Sequence, residues 1–156
     1  SIPDAFKSMR QDESRIGNFT LDDLVRHVGI FTKHLENVSS QYGANLDSVF
    51  VSGGSAGGNL CCSATLAMYN DQFKHWFSDA LTIKGYVPLY PANDICRVEG
   101  VNSSEVFIDP KDQVDQYGPP CLIFQGTNDG LVNPKIQTHF KKAYEDNGND
   151  NCGVIY

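Results

Sequence analysis

The residues best suited to chemistry in this sequence are a serine framed by glycines and an aspartate far along the chain. Ser55 lies in the pentapeptide Gly-Gly-Ser-Ala-Gly, a G-x-S-x-G pattern, and Asp129 follows a short apolar segment. A serine hydroxyl is a weak nucleophile until a base removes its proton, and a carboxylate orients the histidine that usually serves as that base. The two residues therefore predict nucleophilic catalysis, with Ser55 as the nucleophile and Asp129 as the acid.

The surroundings of Ser55 strengthen this prediction. Residues 48–52 are typical of a short strand, and a helical pattern begins at Ala56. A nucleophile on a sharp strand-to-helix turn is raised above the sheet, and we expect Gly53 and Gly57 to remove bulk that would collide there. The Ala56 N–H would then face a developing oxyanion, and losing one such donor typically costs about 2.7–4 kcal/mol of transition-state stabilisation.

Other interpretations of these residues are structural or involve phosphate. A Walker loop requires Lys and then Ser or Thr after its last glycine, whereas Gly58 is followed by Asn59 and Leu60. The dinucleotide fingerprint G-x-G-x-x-G is also absent from this segment. A plain tight turn remains the alternative for the serine, and a turn or helix-capping aspartate remains the alternative for Asp129.

Strands and helices are predicted to alternate along the chain. Amphipathic helices are expected over 21–41, 56–70 and from Pro134 onward; strands are expected over 48–52, 81–88, 121–125 and 153–156; and 91–119 is expected to be a long loop with one short helix. This order predicts an α/β fold with a mostly parallel sheet and flanking helices. Ser55 and Asp129 would both lie at the carboxyl ends of strands, where active sites of such sheets are found.

Composition excludes several classes of function. The 156 residues carry a net charge of −7, which argues against nucleic acid or an anionic membrane as the main partner. No apolar stretch reaches the roughly 18 residues of a membrane span. The five cysteines are odd in number and irregularly spaced, so we expect no metal site. Cys61, Cys62 and Cys121 fall in apolar segments and are expected to be buried free thiols. Three N-x-S/T sequons permit a secretory life, but residues 1–10 lack the apolar run of a signal peptide, so the compartment stays open.

Two segments carry a resemblance to a known family. FVSGGSAGGNL, followed by PPCLIFQGTNDGLV, resembles the α/β-hydrolase esterases and lipases, close to the hormone-sensitive-lipase-like branch. The resemblance covers about 20–156 and implies an α/β-hydrolase fold and cofactor-free hydrolysis of small carboxylic esters. It assigns the catalytic serine to Ser55, the acid to Asp129 and an oxyanion donor to Ala56. Gly54 replaces the usual Asp or Glu, and the upstream H-G-G-G segment is absent.

The catalytic histidine of that family is not evident among the four histidines. His27 and His34 are expected on the polar face of the first helix, and His75 has no identifiable partner. His139 follows Asp129 in the right order but falls inside a predicted helix, whereas the resemblance expects the histidine just past the strand that begins at Gly153.

The chain therefore resembles a single α/β-hydrolase domain over 1–156 that is incomplete at both ends. We expect poor ester hydrolysis by these residues alone, and association through an uncovered sheet edge. Two further functions remain open. Serine peptidases of the prolyl-oligopeptidase type share G-G-S-x-G-G segments, and a hydrolase-fold binding protein that has lost its triad would also carry this sequence pattern.

Overall fold

The computed structural model describes residues 19–94 and 103–156. The irregular segment expected at the start of the chain, part of the long loop, Cys96 and two of the sequons lie outside these residues. The helices are α1 (Leu21–Tyr42), α2 (Ala56–Ala67), α3 (Glu105–Ile108) and α4 (Lys135–Asp146), and the strands are β1 (Val49–Gly54), β2 (Ile83–Leu89), β3 (Cys121–Phe124) and β4 (Cys152–Ile155). Short 3-10 turns occur at Lys74–Trp76 and Pro110–Gln113.

The four strands form one parallel sheet in the order β1-β2-β3-β4. This confirms the predicted order of elements and the predicted parallel sheet. One boundary differs, because β1 continues through Gly53 and Gly54, which align with Pro88 and Leu89 of β2. The strand therefore runs up to Ser55 itself rather than stopping before a glycine turn.

Helix α1 begins and ends where its capping residues predict. The Thr20 side chain accepts a hydrogen bond from the Asp23 N–H while the Asp23 carboxylate accepts from the Thr20 N–H, which completes a capping box. Gly43, at φ 62°, closes the other end. Leu24 and Phe31 belong to the apolar pattern of this helix but are 38% and 58% exposed, because the helix contacts its neighbours along a narrower stripe than that pattern suggests.

Helix α2 lies at the centre of the packing. Nearly all of its residues from Gly58 to Ala67 are buried, so it is enclosed on all sides rather than amphipathic. Its cysteines pack with the inner face of the sheet and with α4 in one core cluster: Cys61, Cys62, Leu66, Tyr86, Val114, Cys121, Ile123, Phe140, Tyr144 and Cys152. The four described cysteines are free and buried, which confirms the prediction for Cys61, Cys62 and Cys121. This packing holds the start of α2, and therefore Ser55, rigidly against the sheet.

The opposite face of the sheet is open and apolar. Side chains that alternate with the core positions point away from α2 and α4, and four of them are exposed: Phe50, Leu122, Phe124 and Ile155. Strand β1 lies at one edge of the four-stranded sheet and β4 at the other. Association through this sheet stays a prediction.

Within residues 19–94 and 103–156, no helix is both long and apolar enough to cross a membrane. The same residues hold no group of three or more His, Cys, Asp or Glu side chains that could bind a metal ion.

Candidate active site

The backbone of Ser55 is strained and firmly held. Its φ is 55° and its ψ is −119°. Holding a non-glycine residue at such a positive φ costs on the order of 1–3 kcal/mol. The Ser55 N–H donates to the carbonyl of Leu89 at 3.0 Å. The Ser55 carbonyl accepts from the N–H groups of Gly58 at 2.9 Å, Asn59 at 3.1 Å and Ala92 at 3.1 Å. These bonds connect the turn to the end of β2, to α2 and to the loop beyond β2.

The hydroxyl of Ser55 does not cap its helix. A serine at the position before a helix normally accepts a hydrogen bond from the N–H two or three residues on. At Ser55 the strained backbone allows no such bond, and the residue is exposed. The hydroxyl is therefore available to an external reactant. As the first residue of α2, Ala56 carries an N–H with no intrahelical partner, at the positive end of the helix dipole.

The glycines around Ser55 differ in whether a side chain would fit at their positions. A Cβ on Gly53 would lie 2.2 Å from the carbonyl oxygen of Gly57, so a side chain is excluded there as predicted. At Gly57 no heavy atom lies within 4 Å of a Cβ, so the predicted collision is wrong at this position, because its Cα faces solvent from the first turn of α2. The second close approach occurs one residue later, where a Cβ on Gly58 would lie 2.8 Å from Cα of Pro91.

The side chain of Tyr90 lies close to Gly54. A Cβ on Gly54 would lie 2.9 Å from the hydroxyl oxygen of Tyr90 and 3.2 Å from its Cζ. Tyr90 is itself held in an unusual backbone conformation, with φ of 36°, and its N–H donates to the carbonyl of Phe124 at 2.6 Å. The tyrosine ring thus occupies the place beside the nucleophile where the resembled family usually has an acidic residue.

Asp129 lies in a tight loop beyond β3 and accepts three hydrogen bonds. Its Oδ1 accepts from the N–H groups of Leu131 at 2.8 Å and Val132 at 3.0 Å, and its Oδ2 accepts from Nε2 of Gln125 at 3.1 Å. The bonds from Val132 and Leu131, and then that from Gln125, favour the carboxylate and hold the pKa of Asp129 below its usual range. The acid is thus ionised at neutral pH and fixed in orientation.

Ser55 and Asp129 lie at the same end of the sheet, beyond the carboxyl ends of its parallel strands. One follows β1 and the other follows β3, with β2 between them. Two interstrand spacings of about 4.8 Å separate these two strands by roughly 10 Å.

The four histidines of the chain are all exposed. His27 packs against Phe19, and His75 against Trp76. His139 projects from α4 into a shallow cavity of about 180 Å³, whose other lining residues are Asp94, Asp109, Lys111 and Ile136. Among the described residues, no histidine hydrogen-bonds to the Asp129 carboxylate.

Sequence reasoning missed two buried glutamines behind the acid. Gln125, at the end of β3, and Gln137, in α4, are 3% and 0% exposed. Gln137 precedes Phe140 by three positions and Tyr144 by seven, so helical spacing alone places it on the inner face. A polar side chain at such a position indicates a buried hydrogen bond, and this was the available signal.

Comparison with known proteins agrees with this geometry. A family described as alpha/beta hydrolase fold matches residues 20–144. The protein named probable carboxylic ester hydrolase LipM, from Mycobacterium tuberculosis, is 27% identical over 115 residues, which cover 60% of this chain and 27% of LipM.

Two solved structures have the same fold. Thermogutta terrifontis esterase 2 superimposes with a TM-score of 0.69 at 20% identity, covering 91% of this chain and 54% of that protein. The carboxylesterase Cest-2923 from Lactobacillus plantarum superimposes with a TM-score of 0.71 at 13% identity, covering 83% of this chain and 51% of that protein. The chain thus spans about half the length of these solved structures. Because the family match covers most of the chain, the protein belongs to the α/β-hydrolase fold family.

Proposed function

We propose that this chain carries the nucleophile and the acid of a carboxylic-ester hydrolase, with Ser55 and Asp129 in these roles. The observation that supports this most directly is the strained turn at Ser55, whose hydroxyl makes no capping hydrogen bond. This hydroxyl lies at the carboxyl end of the parallel strands, as Asp129 does. Strain of this kind persists only where the surrounding structure imposes it, and it is concentrated at functional sites. LipM is named as a carboxylic ester hydrolase, which agrees with the proposed reaction.

The proposed reaction proceeds through an acyl-enzyme. A histidine takes the proton of the Ser55 hydroxyl as its oxygen bonds to the ester carbonyl carbon, and the Ala56 N–H donates to the resulting oxyanion. Collapse of this intermediate expels the alcohol, which receives the proton from the imidazolium. Water then attacks the acyl group in the same way and releases the carboxylic acid product. Asp129 accepts a hydrogen bond from the imidazole and stabilises its charged form.

The base in this scheme is a histidine that approaches Asp129 from beyond β4, where the resemblance expects it. The chain can be tested with that base supplied from solution. Imidazole at high concentration replaces the missing side chain, and a fluorophosphonate probe reports on the nucleophile by forming a stable phosphonyl-serine. Organophosphorus chemistry suits the fold, because Thermogutta terrifontis esterase 2 has been crystallised phosphorylated by paraoxon.

The experiment measures probe incorporation by intact mass, with and without imidazole, in the native chain, Ser55→Ala and Asp129→Asn. We expect imidazole to accelerate labelling of the native chain roughly tenfold, a small part of the about 10²–10⁴-fold that a positioned base gives. Ser55→Ala should abolish labelling, and Asp129→Asn should reduce the imidazole-dependent rate. A folded chain that shows no imidazole-dependent labelling, or labelling that survives Ser55→Ala, contradicts the proposal. Ser52→Ala is a suitable control, since Ser52 is an exposed serine of β1 whose hydroxyl already donates to the carbonyl of Val87.

A further inference from the structure

A chain of buried hydrogen bonds runs behind the acid. Nε2 of Gln137 donates to the carbonyl of Pro91 at 2.9 Å and to Oε1 of Gln125 at 3.0 Å. Nε2 of Gln125 in turn donates to Oδ2 of Asp129 at 3.1 Å. Both glutamines are buried, and the two bonds donated by Gln137 are shielded from water, whereas the bond from Gln125 to Asp129 is partly buried.

The direction of this chain is fixed at its far end. A backbone carbonyl can only accept, so the side of the Gln137 amide that faces Pro91 has to be its NH₂ group. The second hydrogen of that NH₂ group is then directed to Gln125, which presents its oxygen there and its own NH₂ group to Asp129. The reverse orientation of either amide would place two acceptors, or two donors, against each other. Asp129 therefore faces a donor that cannot turn away.

Among the described residues, these bonds leave one acceptor position free on Asp129. A carboxylate has about four lone-pair positions. Two on Oδ1 accept from the backbone of the acid loop, and one on Oδ2 accepts from Gln125. The remaining position lies on Oδ2, the oxygen whose placement Gln125 determines.

We infer that Gln125 is a positioning residue that holds the Asp129 carboxylate so that one lone pair of Oδ2 is presented to the base, and that Gln137 orients Gln125. The role toward the base rests on the function proposed above, whereas the hold on the carboxylate does not. Gln125 also contributes to keeping the pKa of Asp129 below its usual range.

The network also connects the acid to the nucleophile. Pro91, which accepts from Gln137, precedes Ala92, whose N–H donates to the carbonyl of Ser55 at 3.1 Å. Pro91 also packs closely on Gly58 in the first turn of α2. The segment 91–92 is thus bonded to the nucleophile turn on one side and to the glutamines on the other.

The test measures the pKa of Asp129 by following its side-chain carboxyl carbon in an NMR pH titration of this chain. The variants are Gln125→Met, Gln125→Glu and Gln137→Met, with Gln113→Met as control. Gln113 is also a buried glutamine whose Nε2 donates to a carbonyl, that of Val106, but it makes no bond to the acid loop among the described residues. If the glutamines were purely structural, the four substitutions would change the melting temperature but leave the pKa of Asp129 unchanged.

We expect Gln125→Met to raise the pKa of Asp129, because a donor to the charged form is lost. Gln125→Glu should raise it further, because a second carboxylate then faces the first, and Gln137→Met should raise it by less. Gln113→Met should leave it unchanged. Imidazole-dependent labelling of Ser55 should fall roughly tenfold in Gln125→Met, as expected for the loss of one hydrogen bond to a charged group.

Two results separate this inference from the proposed function. If the pKa of Asp129 is the same in Gln125→Met and Gln125→Glu as in the native chain, the inference is overturned, whatever the labelling shows. If the pKa moves as expected but Ser55 is never labelled, the hold on the carboxylate is established and the proposed function fails. Gln125→Glu preserves the size and shape of the side chain, so it keeps the test decisive should the methionine variants unfold.

Discussion

Replacing Gly53 and Gly57 by alanine should have opposite effects on stability, although both glycines belong to the G-x-S-x-G pattern. At Gly53 a Cβ would lie 2.2 Å from the carbonyl oxygen of Gly57, and moving to the 3.0 Å below which real Cβ contacts essentially never occur requires a displacement of about 0.8 Å. The obstacle is backbone in the first turn of α2, so no side chain can rotate to make room. At Gly57 nothing lies within 4 Å of the added atom.

The expected magnitudes follow from these distances. Overpacking typically costs about 1–3 kcal/mol, and since a backbone shift is required at Gly53 we place Gly53→Ala at about 3 kcal/mol of lost unfolding free energy. In a domain of about 150 residues this lowers the melting temperature by roughly 6–12 °C. Gly57→Ala lies in a helix, where alanine is favoured over glycine by up to about 1 kcal/mol, so its stability should be unchanged or higher.

Urea unfolding followed by circular dichroism measures both effects, with each variant serving as the control for the other. Gly53→Ala should also lose imidazole-dependent labelling at Ser55, because the turn that raises the hydroxyl is displaced. If Gly53→Ala and Gly57→Ala unfold at the same urea concentration, the close approach of β1 to α2 does not constrain the turn, and the steric account of the nucleophile is refuted.

Two further predictions concern the core and the open face. Burial raises the pKa of Cys61 to about 12, whereas an unfolded cysteine has a pKa of about 8.5, so the folded thiol should not react with Ellman's reagent at pH 8 but should react in denaturant. Because the folded state holds this proton and the unfolded state releases it, stability should be retained below about pH 8.5 and fall as the pH rises toward 12. Fast modification of Cys61 itself in the native state, located by peptide mass mapping, or no loss of stability at alkaline pH, would contradict this. Phe50 is 65% exposed on the open sheet face, so Phe50→Lys should reduce concentration-dependent association in sedimentation velocity, whereas Phe31→Lys, on the exposed side of α1, should not. Equal association of the two variants would exclude the sheet face as the contact.

The order of elements could be predicted from the sequence because each one carries a local signal. The capping box at Thr20 and the period-2 and period-3.6 patterns report on a few neighbouring residues at a time, and the fold uses them as they stand. The boundary of β1 could not be predicted, because Gly53 and Gly54 are locally typical of a turn and become strand only by aligning with Pro88 and Leu89 of β2. The exposure of Phe31 escaped prediction for a related reason, since periodicity does not reveal how wide a stripe the neighbouring elements cover.

The candidate site shows the same limit more clearly, because its determinants come from distant parts of the chain. The serine and the aspartate are evident from their local sequence, but the contacts that hold them in place are not. Gly54 is a departure from the family pattern, and the hydroxyl oxygen of Tyr90 lies 2.9 Å from the position of a Cβ at residue 54. Only the structure brings this distant residue beside Gly54.

Asp129 illustrates the point for electrostatics. As an isolated loop aspartate it could equally be a turn residue, and its two backbone hydrogen bonds are those of any such turn. What distinguishes it is Gln125, whose amide is committed to the acid because Gln137 and the carbonyl of Pro91 determine which way it faces. A turn aspartate gains nothing from a buried, one-directional donor that leaves a single lone pair free, whereas an acid that has to hold an imidazole in one orientation does. The pair of glutamines is for this reason a stronger argument for the role of Asp129 than its place in the sequence pattern.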